Sequence, residues 1–224
     1  MKALSHTLAA SLSLGSTLSL WLWATVLPGC PASAPSADSG QDVQGDSTPD
    51  GPGPCPSPYL GDRSSPIDMK VTARAVDGTS RVIESGAEVS IILPPQGGRV
   101  VFLGVRAKNI DPCAVRLAGI VREKSTGQIR VDARTVNLAP DGSGFVGSID
   151  SDISSFSNVP LCPNQWADQD IFDREFEAEI ELTDRTGKKQ KSTLQVTLRC
   201  NEADAAAECR CICKKGYKLG ETCQ

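Results

Sequence analysis

Between residues 67 and 200, apolar and polar side chains alternate with a period of two. In "MKVTARA", Met69, Val71, Ala73 and Ala75 fall on one side and Lys70, Thr72 and Arg74 on the other. "AEVSIIL" repeats the alternation through Ala87, Val89, Ile91 and Leu93, and "RVVFLGVRA" through Val101, Leu103, Val105 and Ala107. Two further strand candidates, "VRLAGIV" at 115–121 and "QIRVDARTV" at 128–136, are split by the turn residues Ser125, Thr126 and Gly127. The last pair is the most regular. "FEAEIEL" sets Phe176, Ala178, Ile180 and Leu182 against Glu175, Glu177, Glu179 and Glu181; "DRTGKK" turns the chain; "TLQVTLR" places Leu194, Val196 and Leu198 inward. Such alternation is the pattern of half-buried antiparallel strands, one face on a core and one in water. No segment carries the apolar stripe of an amphipathic helix. About seven or eight short strands with Gly and Asp turns between them predict an all-β chain folded as an antiparallel β-sandwich.

The rhythm breaks at residues 138–172, a stretch long for a structureless connection, which predicts a functional loop or one with structure of its own. It holds Trp166 together with Asp168 and Asp170, and Asp173 follows it. One reading is a loop pinned by a disulfide, with Trp166 capping the core; the other is an aromatic and acidic binding edge or a calcium site. Residues 31–54 are Pro, Gly, Ser and Asp with almost nothing apolar, and Asp38, Asp42, Asp46 and Asp50 recur every fourth position. On a helix these acids would repel, so the segment is expected to be a disordered tether spanning about 25–30 Å on average. Its Asp spacing lacks the alternation of a calcium loop.

The first residues, "MKALSHTLAASLSLGSTLSLWLWATVLPGC", place Lys2 before an uncharged run from Ala3 to Val26. That run reads as an export signal. It is long enough to compete as a membrane span, but its Ser and Thr, with His6 and Gly15, make a poor permanent one. "LPGC" at 27–30 resembles a bacterial lipobox through Leu27, Gly29 and Cys30. The resemblance implies that the Cys30 thiol takes diacylglycerol, that the signal is cut before it, and that the new amine is acylated. Three acyl chains, at about 0.8 kcal/mol per buried methylene, would hold a protein on a membrane essentially permanently. Pro31 stands where lipoproteins kept at an inner membrane carry Asp, which points to an outer-membrane location. The expected organisation is a signal at 1–29, a lipidated tether at 30–54, a sandwich at 55–200 and a cysteine-rich tail at 201–224.

Strand number and spacing also resemble an immunoglobulin-like domain of bacterial surface proteins, without the core Trp between two Cys of antibody domains. In the tail, "CICKKGYKLGETC" resembles the C-terminal half of an EGF-like module through Cys211, Cys213, Gly216, Tyr217, Leu219 and Cys223.

Cysteine counting bears on the same question. The chain has nine Cys, an odd number that needs explaining in an exported protein. Assigning Cys30 to lipid leaves Cys55, Cys113, Cys162, Cys200, Cys209, Cys211, Cys213 and Cys223, which can close four disulfides in an oxidising compartment. The preferred bond joins Cys113 to Cys162, with Cys113 to Cys200 as the alternative. Four tail cysteines would then pair among themselves and leave the fifth for Cys55. Cys209, Cys211 and Cys213 alternate, so on an extended strand they would share one face. A thiolate metal site competes with this reading, but no metal or other cofactor is expected.

The formal net charge is −4 with only Lys2 charged before Cys30, so the exported chain is one unit more acidic. Nucleic acid is therefore excluded as a partner, since phosphate neutralisation needs clustered Lys and Arg. The sole histidine, His6, lies in the signal, which removes Ser-His-Asp, Cys-His and His-containing zinc arrangements from the exported chain. No G-x-S-x-G, S-x-x-K, phosphate loop or H-E-x-x-H occurs. Paired carboxylates along Glu175–Glu181 could serve a glycosidase but read more simply as a solvated strand face. The expected function is a non-catalytic, membrane-tethered module of the cell envelope with an unidentified protein or envelope partner. The alternatives are a calcium-dependent adhesion module using Asp168, Asp170 and Asp173, and a carboxylate hydrolase.

Overall fold

In a computed structural model the described residues are Cys55 and residues 57–223; the signal, the lipobox and the tether lie outside them. The strands are β1 (Asp68–Arg74), β2 (Ser80–Val82), β3 (Ala87–Ser90), β4 (Arg99–Lys108), β5 (Val115–Arg122) and β6 (Ile129–Val136). They continue with β7 (Ala139–Pro140), β8 (Val146–Gly147), β9 (Ser157–Cys162), β10 (Glu175–Thr183) and β11 (Lys189–Arg199). A single helix, α1 (Ala206–Cys213), follows. β2, β7 and β8 are only two or three residues long, and the longer strands are those the alternation predicts, with β9 added.

The strands form two sheets. One runs β3-β11-β10-β5-β6; the other runs β2-β1-β4-β8-β7, with β9 also on β4. β4 is long enough to serve three neighbours, β1 along one edge and β9 then β8 along the other. All pairings are antiparallel except β3 with β11. Placing β1, β4 and β9 in one layer and β6, β5, β10 and β11 in the other reproduces the strand distribution of an immunoglobulin-like sandwich. The core between the layers takes the inward set of each strand: Val71 and Ala73, Val101 to Ala107, Leu117 and Val121, Phe176 to Leu182, and Val196 with Leu198. Leu93, expected to face inward, lies beyond β3 and is exposed.

The interruption at 138–172 holds β7, β8, β9 and a 3-10 turn at Ile153–Ser155. Its first half crosses the outer face of β4, where Val100, Phe102 and Phe156 form a second small core with Ile92 and Ile153. Phe102 and Phe156 meet edge to face at 6.3 Å. This cover explains why β4 is buried on both faces over most of its length and why Thr72, on the outward set of β1, is also buried.

The cysteine pairing departs from the expectation. The bonds are Cys55–Cys113, Cys162–Cys213, Cys200–Cys209 and Cys211–Cys223. Cys113 joins neither Cys162 nor Cys200. Cys162 stands opposite Arg99 at the start of β4, whereas Cys113 follows the end of that strand. Ten residues of strand at about 3.3 Å each put the two roughly 30 Å apart. Cys200 closes β11 at the same far end. The tail is also not extended. Ala205 to Ala207 favour a helix, and in α1 Cys209 and Cys213 fall one turn apart on the buried face while Cys211 points away.

Candidate functional site

The sandwich has two unlike ends. At one, Cys55–Cys113 ties the first described residue to the β4–β5 connection. At the other, three loops and the tail are gathered, and the polar chemistry converges there.

Two charged residues lost from the surface hold this end together. Arg99 has a fully buried side chain whose Nη1 donates to Glu202 and whose Nη2 donates to Glu208 at 2.8 Å and to the Ala205 carbonyl at 3.2 Å. The start of β4 is thereby clamped to the tail on both sides of the turn leading into α1. Glu123, also fully buried, accepts the Asp168 backbone N–H at 3.1 Å and the Thr126 hydroxyl at 2.5 Å. It fastens the β5–β6 turn to the loop before β10. Asn164 completes the framework. Its N–H reaches the Ile212 carbonyl of α1, its Nδ2 donates to Gln169 O, and its Oδ1 accepts from Ala167 N.

Against this frame lies a cleft of about 550 Å³ lined by Gln128, Gln165, Trp166, Asp168, Lys215 and Tyr217 among others. Trp166 forms its apolar wall. The indole is 8% exposed, packs on Phe176 at 5.9 Å, and donates from Nε1 to Leu161 O at 2.8 Å. Arg130 lies over the same ring at 5.6 Å. Lys215 bonds Asp168 at 2.6 Å, which raises its pKa above the usual lysine range. The cleft thus offers the Lys215–Asp168 ion pair and several amides around the small exposed part of a largely buried indole, a set suited to holding a polar ligand or a loop of another protein.

The acids expected near Trp166 are all engaged by groups of the chain. Asp168 holds the Lys215 ammonium, Asp170 accepts the Lys215 backbone N–H, and Asp173 bonds Arg199 and Arg210, each at 2.7 Å. The bond from Arg199 holds the Asp173 carboxyl below its ordinary range, against a smaller opposing effect of burial, and Arg210 adds to it. These acids do not converge on one point. Among the described residues the only group close enough to share a metal is Cys200, Cys209 and Cys213, and these sulfurs are consumed by disulfides.

The glutamates of β10 lie on the outer sheet face, where Glu179 is nonetheless buried among its neighbours, each beside a cation: Glu175 with Lys124, Glu177 with Arg122, Glu179 with Lys191 and Glu181 with Lys189. A second polar surface surrounds Phe145, over which Lys70, Arg106 and Lys108 stand at 5.0, 5.5 and 5.1 Å. Asp141 and Asp68 neutralise Arg106 and Lys108.

Arg99, Glu123 and Asn164 were not singled out by sequence reasoning, although two of them carry a signal. Arg99 shares the odd-numbered phase of Val101, Leu103 and Val105, and Glu123 that of Leu117 and Val121; a charge on the inward phase at or just past a strand end marks a buried bond. No protein-family model and no curated protein matches this chain, so its function is read from these residues alone.

Proposed function

We propose that this chain is an exported lipoprotein, anchored through acyl chains on Cys30 and probing its surroundings with the end of the sandwich that carries the Trp166 cleft. It is a non-catalytic binding or structural module of the cell envelope, on an outer membrane. One observation carries the reading. All eight cysteines after Cys30 pair with one another in four disulfides, so the ninth is left over as the odd thiol at the lipobox. Four disulfides also fit an oxidising compartment outside the cytoplasm.

The geometry supports this use of the cleft. Cys55, the first described residue, is bonded to Cys113 at one end of the sandwich, while Trp166, α1 and the tail occupy the other, roughly 30 Å away along β4. The cleft therefore lies at the end remote from the residue through which the chain leads back toward Cys30. The glutamates of β10, each already held by a cation, favour binding over hydrolysis. The deciding experiment is the mass of the N-terminal peptide from membrane-extracted protein. A chain beginning at Cys30 with diacylglyceryl and amide-linked acyl groups is expected, and an unmodified Cys30 overturns the reading. Crosslinking in the native envelope through a photoreactive group at Gln165 is expected to capture a partner, where the same group at Thr193 on the open sheet face does not.

A further inference from the structure

We infer that β6 is a self-association edge, through which two copies of the chain pair antiparallel about a two-fold axis at Val131. The inference rests on the described sheet and is independent of the lipid anchor.

β6 is the terminal strand of its sheet, and the direction of its backbone groups follows from the hairpin that makes it. Glu123 N donates to Gln128 O, and β5 and β6 continue that register as Arg122 opposite Ile129 through Val115 opposite Val136. Hydrogen-bonded pairs alternate along an antiparallel ladder. The N–H and C=O groups of Arg130, Asp132 and Arg134 therefore face β5, and those of Ile129, Val131, Ala133 and Thr135 face outward. In agreement, the Ser157 hydroxyl sits between the facing residues Gly119 and Asp132, accepting from Gly119 N and donating to Asp132 O.

The same outward-bonding residues carry the side chains of the open face. Ile129 and Val131 are each 45% exposed, Ala133 and Thr135 are exposed, and half-buried Ile120 and Ala118 of β5 lie beside Val131 and Ala133. The strand thus inverts the expected pattern, with apolar groups in water and Arg130, Asp132 and Arg134 turned inward. Inward charges usually guard an edge, because a covering strand would strand them. Here Arg134 already holds Asp132 by two bonds at 2.8 and 2.9 Å, and Arg130 rests on Trp166.

Charge complementarity selects the occupant, and charge together with cover of the exposed Ile129 and Val131 selects the register. With the axis at Asp132, Arg130 would face Arg134 of the second copy, a like-charge pair that destabilises a sheet. With the axis at Ala133, Asp132 would face Arg134 of the second copy, but Val131 would face Thr135 and Ile129 would be left without a partner strand residue. With the axis at Val131, Val131 faces itself, Ile129 faces Ala133, and Arg130 faces Asp132 of the second copy twice over. β6 is therefore complementary to its own sequence. One strand pair makes a small contact of the weak, concentration-dependent class.

Sedimentation of the purified full chain in mild detergent, from about 1 to about 100 μM, is expected to show a monomer–dimer equilibrium. In the dimer the amides of Ile129, Val131 and Ala133 exchange more slowly with solvent. Val131→Arg is expected to weaken dimerisation at least tenfold, while Arg116→Glu, exposed on the same face but off the edge, leaves it unchanged. Arg130→Asp, which sets Asp against Asp132, is expected to weaken it as well. A chain monomeric throughout, a dimer indifferent to Val131→Arg or lacking the amide protection, or one strengthened by Arg130→Asp overturns the proposal.

Discussion

A single guanidinium decides whether the tail belongs to the sandwich. Arg99 is enclosed, and its carboxylate partners are on the tail. Glu202 and Glu208 keep access to water, so removing the guanidinium costs the charged bonds themselves, about 1.5–3 kcal/mol, and leaves no buried charge unpaired. Arg99→Met is expected to lower stability by about 2 kcal/mol and to open residues 201–208 to protease; denaturant unfolding and limited proteolysis measure both. Gly119 tests the packing of β9 across β5. A Cβ there would stand 2.4 Å from Ser157 Oγ and 3.0 Å from Ser157 Cβ, closer than side chains approach. Gly119→Ala is expected to cost about 1–3 kcal/mol by overpacking, and adding Ser157→Gly to restore part of it, measured by thermal melts of the single and double variants. Nothing in the sequence marks Gly119, since the close approach comes from a strand of the other sheet.

Among the elements, α1 is the one held most from outside itself. Its buried face carries Cys209 and Cys213, bonded to Cys200 and Cys162, and Arg210 in its last turn reaches Asp173. Eight residues are too few for a stable isolated helix, so these bonds keep it in place. Trp166 is the only Trp after residue 29, which makes its fluorescence a report on this end alone. The buried indole is expected to emit at short wavelength. Cys162→Ser with Cys213→Ser, freeing α1 from β9, is expected to shift that emission to the red before global unfolding. Acid acts on the same junction. Because the folded Asp173 carboxyl titrates below its unfolded value, its contribution is present above about pH 4 and is lost as pH falls through the depressed folded value. Asp173→Asn is therefore expected to flatten the acid limb of the melting temperature against pH, measured between pH 2 and 6.

At the scale of the whole molecule the disulfides divide the work between the two ends. Cys55–Cys113 closes a loop with a sequence separation of 58, for which chain entropy gives about 4 kcal/mol. The double variant Cys55→Ser, Cys113→Ser is expected to lower the melting temperature while leaving the Trp166 emission of the folded protein unchanged, because the bond lies at the opposite end. A shift in that emission would show the ends to be coupled.

Period-two patterning determined the strands, because a strand half in water and half in a core must alternate, and it placed Val101, Leu103, Phe176 and Leu198 inward. Composition determined that eight cysteines follow Cys30, an even set, and that no imidazole does. Neither pattern nor composition could determine pairing. Which cysteines meet depends on which ends of which strands coincide, and a ten-residue strand carries Cys113 about 30 Å from Cys162 however close the two look along the chain. The segment before β9 resisted for a related reason. Its residues are ordered by covering β4, not by a period of their own. The helical tail, the clamp at Arg99 and the cleft at Trp166 all join segments far apart in sequence, so only the tertiary structure decided them.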